Sequence, residues 1–210
     1  LISIFTLSSS FLWFTYSKYC SPDTLYIFLN LLSILFLLKT NNFLKERLNN
    51  KYLFISGLFL SLPFFVRSYL QLLPLISLFP LFLFKIKKLN FKNTRYFIIG
   101  FIVGLIPLII YFYISCQIYG VDSLIRPFIL LQQKTLTEND NFEGFIFYPR
   151  NLILLSTPFF IFLISGTRYI LKSKSKEIQI LFVYTPIINI VFLMLTASKY
   201  THYGLFTIPL

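Results

Sequence analysis

Charge is scarce in this chain. Of its 210 residues only 12% are charged, and just seven are acidic. A water-soluble domain carries about a quarter charged residues, so that class is excluded. Cysteine is almost absent: Cys20 and Cys116 lie far apart and match no metal or redox spacing, which leaves them as packing residues. One histidine, His202, has no second histidine or close carboxylate beside it, so no metal site is expected there. The sequence holds no G-x-S-x-G, no P-loop and no N-x-S/T sequon. What is abundant is apolar surface: 57% hydrophobic residues, with 27 Phe and 14 Tyr, at a mean hydropathy of +0.76. A core of this size could not hide that much. The chain must use lipid as part of its solvent, as a polytopic membrane protein does.

Runs of the length a crossing needs, about 20 mostly apolar residues, fall at Ile2–Ser17, Thr24–Leu38, Tyr52–Val66, Tyr69–Phe84, Tyr96–Tyr119, Asn151–Leu171 and Ile178–Ser198. An eighth begins near His202. The runs are apolar on every face, whereas a membrane β-barrel needs alternating polarity. The expected fold is an all-α transmembrane bundle of about seven spans plus the start of an eighth. The chain opens at Leu1 and ends within an apolar run, and we expect it to be an internal fragment, a single transmembrane domain over 1–210.

The few charges orient these spans. Segments 39–51, 85–95 and 168–177 hold 13 of the 19 basic residues against Glu46 and Glu177 alone. The other connections hold Lys18, Arg67, Arg126, Lys134, Arg150 and Lys199 with five acidic residues. The two sets alternate along the chain. The positive-inside rule therefore places the lysine-rich segments in the cytoplasm, with the chain in the cytoplasmic membrane. The +12 net charge is thus topology, and no nucleic-acid partner is expected. The longest external connection runs from about 120 to 150. Within it Asp122–Lys134 has helical apolar spacing at Leu124, Ile125, Phe128, Ile129 and Leu131, which suits a short amphipathic helix in the interface.

Most remaining ionisable groups then fall on the outer face. Arg67 lies in PFFVRSYLQLLP between two apolar runs; Asp23 precedes a span in SPDTLYIF; Lys199, His202 and Tyr203 open the last run in SKYTHYGLF. A lipid-linked phosphate donor has an apolar tail and an anionic head at this depth. Arg67 and Lys199 could meet that head with fixed charge, and His202, Tyr69, Tyr200 and Tyr203 with hydrogen bonds. Each has a plainer reading: Asp23 as a helix cap, Arg67 as a snorkelling pin in a hairpin, Lys199 and the tyrosines as an interfacial belt. Gly100 and Gly104 suit close helix packing, and six prolines within the runs suit kinks.

The order of these features resembles the dolichyl-phosphate-mannose-protein mannosyltransferases, especially their bacterial aminoarabinose-transferase-like branch within the GT-C glycosyltransferases. It is carried by SPDTLYIFLNLLSILFLLK, GLFLSLPFFVRSYLQLLPLI, GFIVGLIPLIIYFYISCQIYG, FYPRNLILLSTPFF and SKYTHYGLFTIPL. The resemblance implies a GT-C-like bundle moving a sugar from a polyprenyl-phosphate carrier to an acceptor of unknown class outside the membrane. It implies donor-phosphate contacts at Arg67, Lys199, His202 and Tyr203, and a cavity-facing Asp23. It places the catalytic carboxylates in a loop upstream of Leu1, so the fragment is expected to be inactive alone, with a C-terminal part missing as well. Gln132-Gln133 stands where some members carry an acidic-His pair, so no metal ligand is expected there. No cofactor is evident, with a divalent metal in the longer protein left open.

Two rival classes remain. A secondary transporter places polar groups near the midplane, whereas here Gln71 and Asn189 are the main polar interruptions of the spans. An O-antigen ligase or polymerase uses similar carriers but needs large external loops rich in Arg and His, and the 120–150 loop offers only Arg126 and Arg150.

Overall fold

The computed structural model describes residues 22–40, 50–67, 71–88, 91–123, 125, 129, 143–155, 160–173 and 175–195. These residues are helical and include no strand. In chain order the elements are α1 (Pro22–Lys39), α2 (Asn50–Ser61), α3 (Pro63–Arg67), α4 (Leu72–Lys88), α5 (Phe91–Tyr119), α6 (Glu143–Leu155), α7 (Phe160–Leu171), α8 (Lys176–Gln179), a π-helical turn (Ile180–Tyr184) and α9 (Thr185–Leu195). They form two compact units, one of 25–72 and 83–130, the other of 1–24, 73–82 and 131–210.

Three stretches among the described residues are long and apolar enough to cross a membrane: Pro22–Lys39, Thr94–Tyr119 and Lys176–Met194. That corrects the expectation of seven. The run at Tyr52–Val66 is divided into α2 and α3, because Pro63 has no N–H to continue the ladder. The run at Tyr69–Phe84 yields only the shorter apolar helix Leu72–Phe84. The run at Asn151–Leu171 is shared between α6 and α7, with 156–159 outside the described residues. The runs at Ile2–Ser17 and from His202 also lie outside them.

The case for lipid is clearest on α5. Its crossing stretch is 26 residues long with 11% buried, and Ile98, Ile99, Ile102, Ile106, Ile109, Ile110 and Ile114 are all exposed. Such a surface is unsustainable in water and ordinary in hydrocarbon. Burial here takes in polar and small residues alongside apolar ones. On α1 the buried stripe is Asp23, Tyr26, Ile27, Asn30, Ser33, Ile34 and Leu37, at helical spacing. On α5 the buried positions are Thr94, Gly100 and Gly104.

In the unit containing α2 and α5, those glycines set the packing. A Cβ on Gly100 would meet the Phe54 backbone, with the carbonyl carbon at 2.8 Å; one on Gly57 would lie 2.9 Å from the Phe101 nitrogen; one on Gly104 would lie 2.6 Å from the Leu58 oxygen. Backbone lies against backbone, as small-residue seams in membranes allow. Residue numbers rise together across the seam, so α2 and α5 are parallel. Against α1, α2 pairs Tyr52 with Phe36 and Ser56 with Ser33, while Leu60 and Asn30 share Gln71 as donor, so α1 is antiparallel to α2. Lys39, Lys51 and Arg95 consequently share one end of this unit. The described ends of segments 39–51 and 85–95 thus share that end, and the side of the membrane it faces is not determined by the structure.

Gly120 ends α5 at φ 78°, with its N–H donating to the Cys116 carbonyl at 3.0 Å. Nothing lies within 4 Å of its would-be Cβ, so glycine serves the left-handed cap here rather than space. Beyond it Asp122, Ser123, Ile125 and Ile129 are helical, and both isoleucines are exposed. The rest of the expected interfacial helix lies outside the described residues.

In the other unit α6 packs against α9, with Tyr148 fully buried. Gln179 caps the end of α7, its Nε2 donating to the carbonyls of Leu171 and Ser173, both at 2.9 Å. The π-helical turn has a local cause. Pro186 cannot donate to the Phe182 carbonyl and its ring crowds that oxygen, so the helix widens by one residue. Thr185 secures the wide turn, donating both its backbone N–H and, at 3.0 Å, its Oγ1 to the Ile180 carbonyl.

Candidate functional site

The candidate site is best defined around Arg67. Leu62 continues the α2 ladder, its N–H donating to Leu58 at 3.1 Å, and Phe65 then donates to Leu62 at 2.9 Å. Pro63 has no N–H to give the Phe59 carbonyl, and the break between α2 and α3 leaves the neighbouring Leu60 carbonyl to a side-chain donor. Gln71 takes it up: its Nε2 donates to the Leu60 oxygen at 2.8 Å. The same Nε2 donates to Asn30 Oδ1 at 2.8 Å, and Asn30 Nδ2 returns a bond to Gln71 Oε1 at 3.0 Å. Asn30 Nδ2 also donates to its own helix at the Tyr26 carbonyl, at 2.9 Å. Asn30 and Gln71 are both 0% exposed. An amide pair satisfied in this way inside an apolar environment fixes two segments in one register.

A second reciprocal pair lies one turn further along. Ser33 Oγ donates to the Ser56 carbonyl and Ser56 Oγ to the Ser33 carbonyl, each at 2.9 Å. Aromatic contacts complete the support. Phe64 meets Phe101 edge-on at 6.3 Å, and Phe65 meets Tyr111 edge-on at 6.2 Å. Arg67, half-buried, ends α3 two residues later. At a helical rise of about 1.5 Å per residue, Tyr111 is about 25 Å along α5 from Thr94. A hydrocarbon core is about 30 Å thick. Arg67, just beyond Phe65, thus lies towards the end of this unit opposite Thr94.

Asp23 is in the first turn of α1 and buried at 6% exposure. Pro22 precedes it at the first helical position, an arrangement suited to a helix start. Asp23 and Arg67 belong to different compact units. Lys199, His202 and Tyr203 lie outside the described residues, as do Tyr69, Tyr200, Gln132 and Gln133. Of the expected donor contacts, Arg67 is therefore the one with a defined scaffold.

Sequence reasoning missed Asn30, Ser33 and Ser56. Their signal was present: Asn30 and Ser33 stand three apart on one helical face inside an otherwise apolar run. It also missed Gly57, the third glycine of the seam.

Compared with protein-family models, with curated proteins and with solved structures, the chain matches none. What the structure supports is a helical chain with three candidate membrane crossings among its described residues.

Proposed function

We propose that this chain is the membrane part of a glycosyltransferase that moves a sugar from a polyprenyl-phosphate carrier to an acceptor at the extracytoplasmic face. The observation that carries the proposal is Arg67 at the end of a hairpin held by Gln71, Asn30 and Leu60, at the end of its unit opposite Lys39, Lys51 and Arg95. A positioned guanidinium at head-group depth can bind a phosphodiester in bidentate fashion. It can also stabilise the lipid phosphate as the anomeric bond breaks. Deprotonation of the acceptor hydroxyl falls to a carboxylate of an external loop outside these residues.

Arg67→Ala in the full-length protein is the test, with transfer from a polyprenyl-phosphate sugar and membrane insertion measured side by side. Loss of one charged transition-state contact lowers transfer by about 100-fold or more with insertion unchanged. Full activity removes Arg67 from the donor site and the proposal with it.

One observation favours a secondary transporter as the second reading. Asn189, 1% exposed, lies within the Lys176–Met194 crossing just beyond the π-helical turn, and neither of its amide atoms finds a partner among the described residues. Buried polar groups beside irregular helix are what a translocation site requires. Under the glycosyltransferase reading Asn189→Leu leaves transfer unchanged.

A further inference from the structure

The parallel packing of α2 and α5 has an electrostatic result at the end opposite Arg67. Two parallel neighbours set their positive ends side by side, each equivalent to roughly half a unit charge, of which the C-terminus of antiparallel α1 at the same end offsets a part. The register places these ends level. Phe54 lies against Gly100 and Leu58 against Gly104, so Asn50, the first residue of α2, falls within about one turn of Thr94 in the first turns of α5. Neither helix has an acidic residue in its first turn. Lys51 and Arg95 instead add positive charge to ends that are already positive.

A second observation points to a ligand. Thr94 is 8% exposed, and its Oγ1 finds no hydrogen-bond partner among the described residues. Thr94 shares a helical face with Phe97 and Phe101, the two residues against Gly57, so it lies in the α2–α5 seam at its charged end. Asn50 Oδ1 is likewise buried without a partner among the described residues. Next to Thr94, Arg95 is exposed, with its guanidinium carbon 5.2 Å from the Tyr96 ring centre and Nη2 3.5 Å from the Tyr96 hydroxyl. Directly beyond, Ile98, Ile99 and Ile102 form an exposed apolar wall.

We propose that the paired N-termini of α2 and α5 bind the head group of an anionic, hydroxyl-bearing membrane phospholipid. The phosphate accepts from the Thr94 hydroxyl, from first-turn backbone N–H groups of α5 and from Arg95. A head-group hydroxyl donates to Asn50 Oδ1, and the acyl chains follow the isoleucine face of α5. A lipid fits better than free phosphate because charged end and apolar wall are continuous. The site is independent of the donor site at Arg67, and its test does not depend on catalysis.

The experiment is lipid retention by the full-length protein in detergent, measured by native mass spectrometry with phosphatidylglycerol, phosphatidylcholine or inorganic phosphate added. Wild type retains phosphatidylglycerol over phosphatidylcholine. Thr94→Val, nearly the same shape without the hydroxyl, weakens that retention about tenfold, and Thr94→Ser restores it. Arg95→Gln weakens it several-fold and reduces its salt dependence. Equal retention of phosphatidylglycerol by wild type and Thr94→Val overturns the proposal, as does equal retention of the two lipids. Protection by inorganic phosphate without any preference for phosphatidylglycerol overturns the lipid as ligand.

Discussion

Replacing Gln71 by Met and Asn30 by Leu, singly and together, isolates the amide pair that holds the Arg67 hairpin. Gln71→Met removes three hydrogen bonds, to Asn30 Oδ1, from Asn30 Nδ2 and to the Leu60 carbonyl. It strands two buried acceptors. Interhelical hydrogen bonds in membranes average about 0.6 kcal/mol and reach about 1.7, and stranded buried groups cost about 1–3 kcal/mol. The single variant should therefore lose about 2–5 kcal/mol. Asn30→Leu also removes the two reciprocal bonds, along with the bond to Tyr26, and should lose a similar amount. The double variant loses the reciprocal bonds once, not twice, and neither amide is left facing an apolar partner. Its destabilisation should fall short of the sum by about 1–3 kcal/mol. Unfolding free energies of the full-length protein in bicelles, by steric trapping, read this directly. Additivity within about 0.3 kcal/mol would show that the two amides do not act as a pair. Under the proposed function, Gln71→Met also lowers transfer several-fold at temperatures where the protein stays folded, because Arg67 is no longer held.

Glycine substitutions separate seam from surface. Gly100→Ala should destabilise by about 1–3 kcal/mol, since its Cβ meets the Phe54 backbone, which cannot step aside, whereas Gly166→Ala in α7, with nothing within 4 Å, should gain about 0.5–1 kcal/mol. The same unfolding assay checks both, and equal effects would refute the parallel seam. With Cys20 and Cys116 replaced by Ser, an impermeant maleimide should label Lys51→Cys and Val121→Cys from opposite sides of the membrane; labelling from one side would refute a single crossing by α5. Asn189→Leu should raise stability by about 1–2 kcal/mol by removing a buried amide with no partner among the described residues; a loss of stability would show that the amide is engaged in the native membrane.

Helical structure and the common end of Lys39, Lys51 and Arg95 were legible in the sequence because both rest on strong local signals, long apolar runs and clustered basic residues. Gly100 and Gly104 were legible as a packing motif for the same reason. The number of crossings was not. Pro63 sits inside an apolar run that hydropathy treats as continuous, yet it ends α2 at twelve residues, and composition does not register a missing N–H. The amide and serine pairs were hidden for a different reason. In a soluble helix the apolar stripe marks the buried face, but α1 is apolar all round and the lipid-facing Leu25, Phe28 and Leu35 look like core. Only the neighbours reveal that Asn30 and Ser33 point inward.

That inversion explains how the unit around α2 gains specificity. Lipid is as apolar as leucine, so burying leucine supplies little preference for one register over another. The preference comes from what lipid cannot satisfy: the Leu60 carbonyl at the break before α3, two amides, and two serine hydroxyls facing two carbonyls. Each finds its partner in one alignment of α1, α2 and the hairpin. Sliding α1 by one turn would strand several of these groups, while a slide of a purely apolar helix would strand none. Arg67 follows α2 after a single turn of α3, so it inherits this alignment. Under the proposed function Arg67 must be held in place to contact a lipid-linked phosphate, and these buried polar pairs are the part of the structure able to do that.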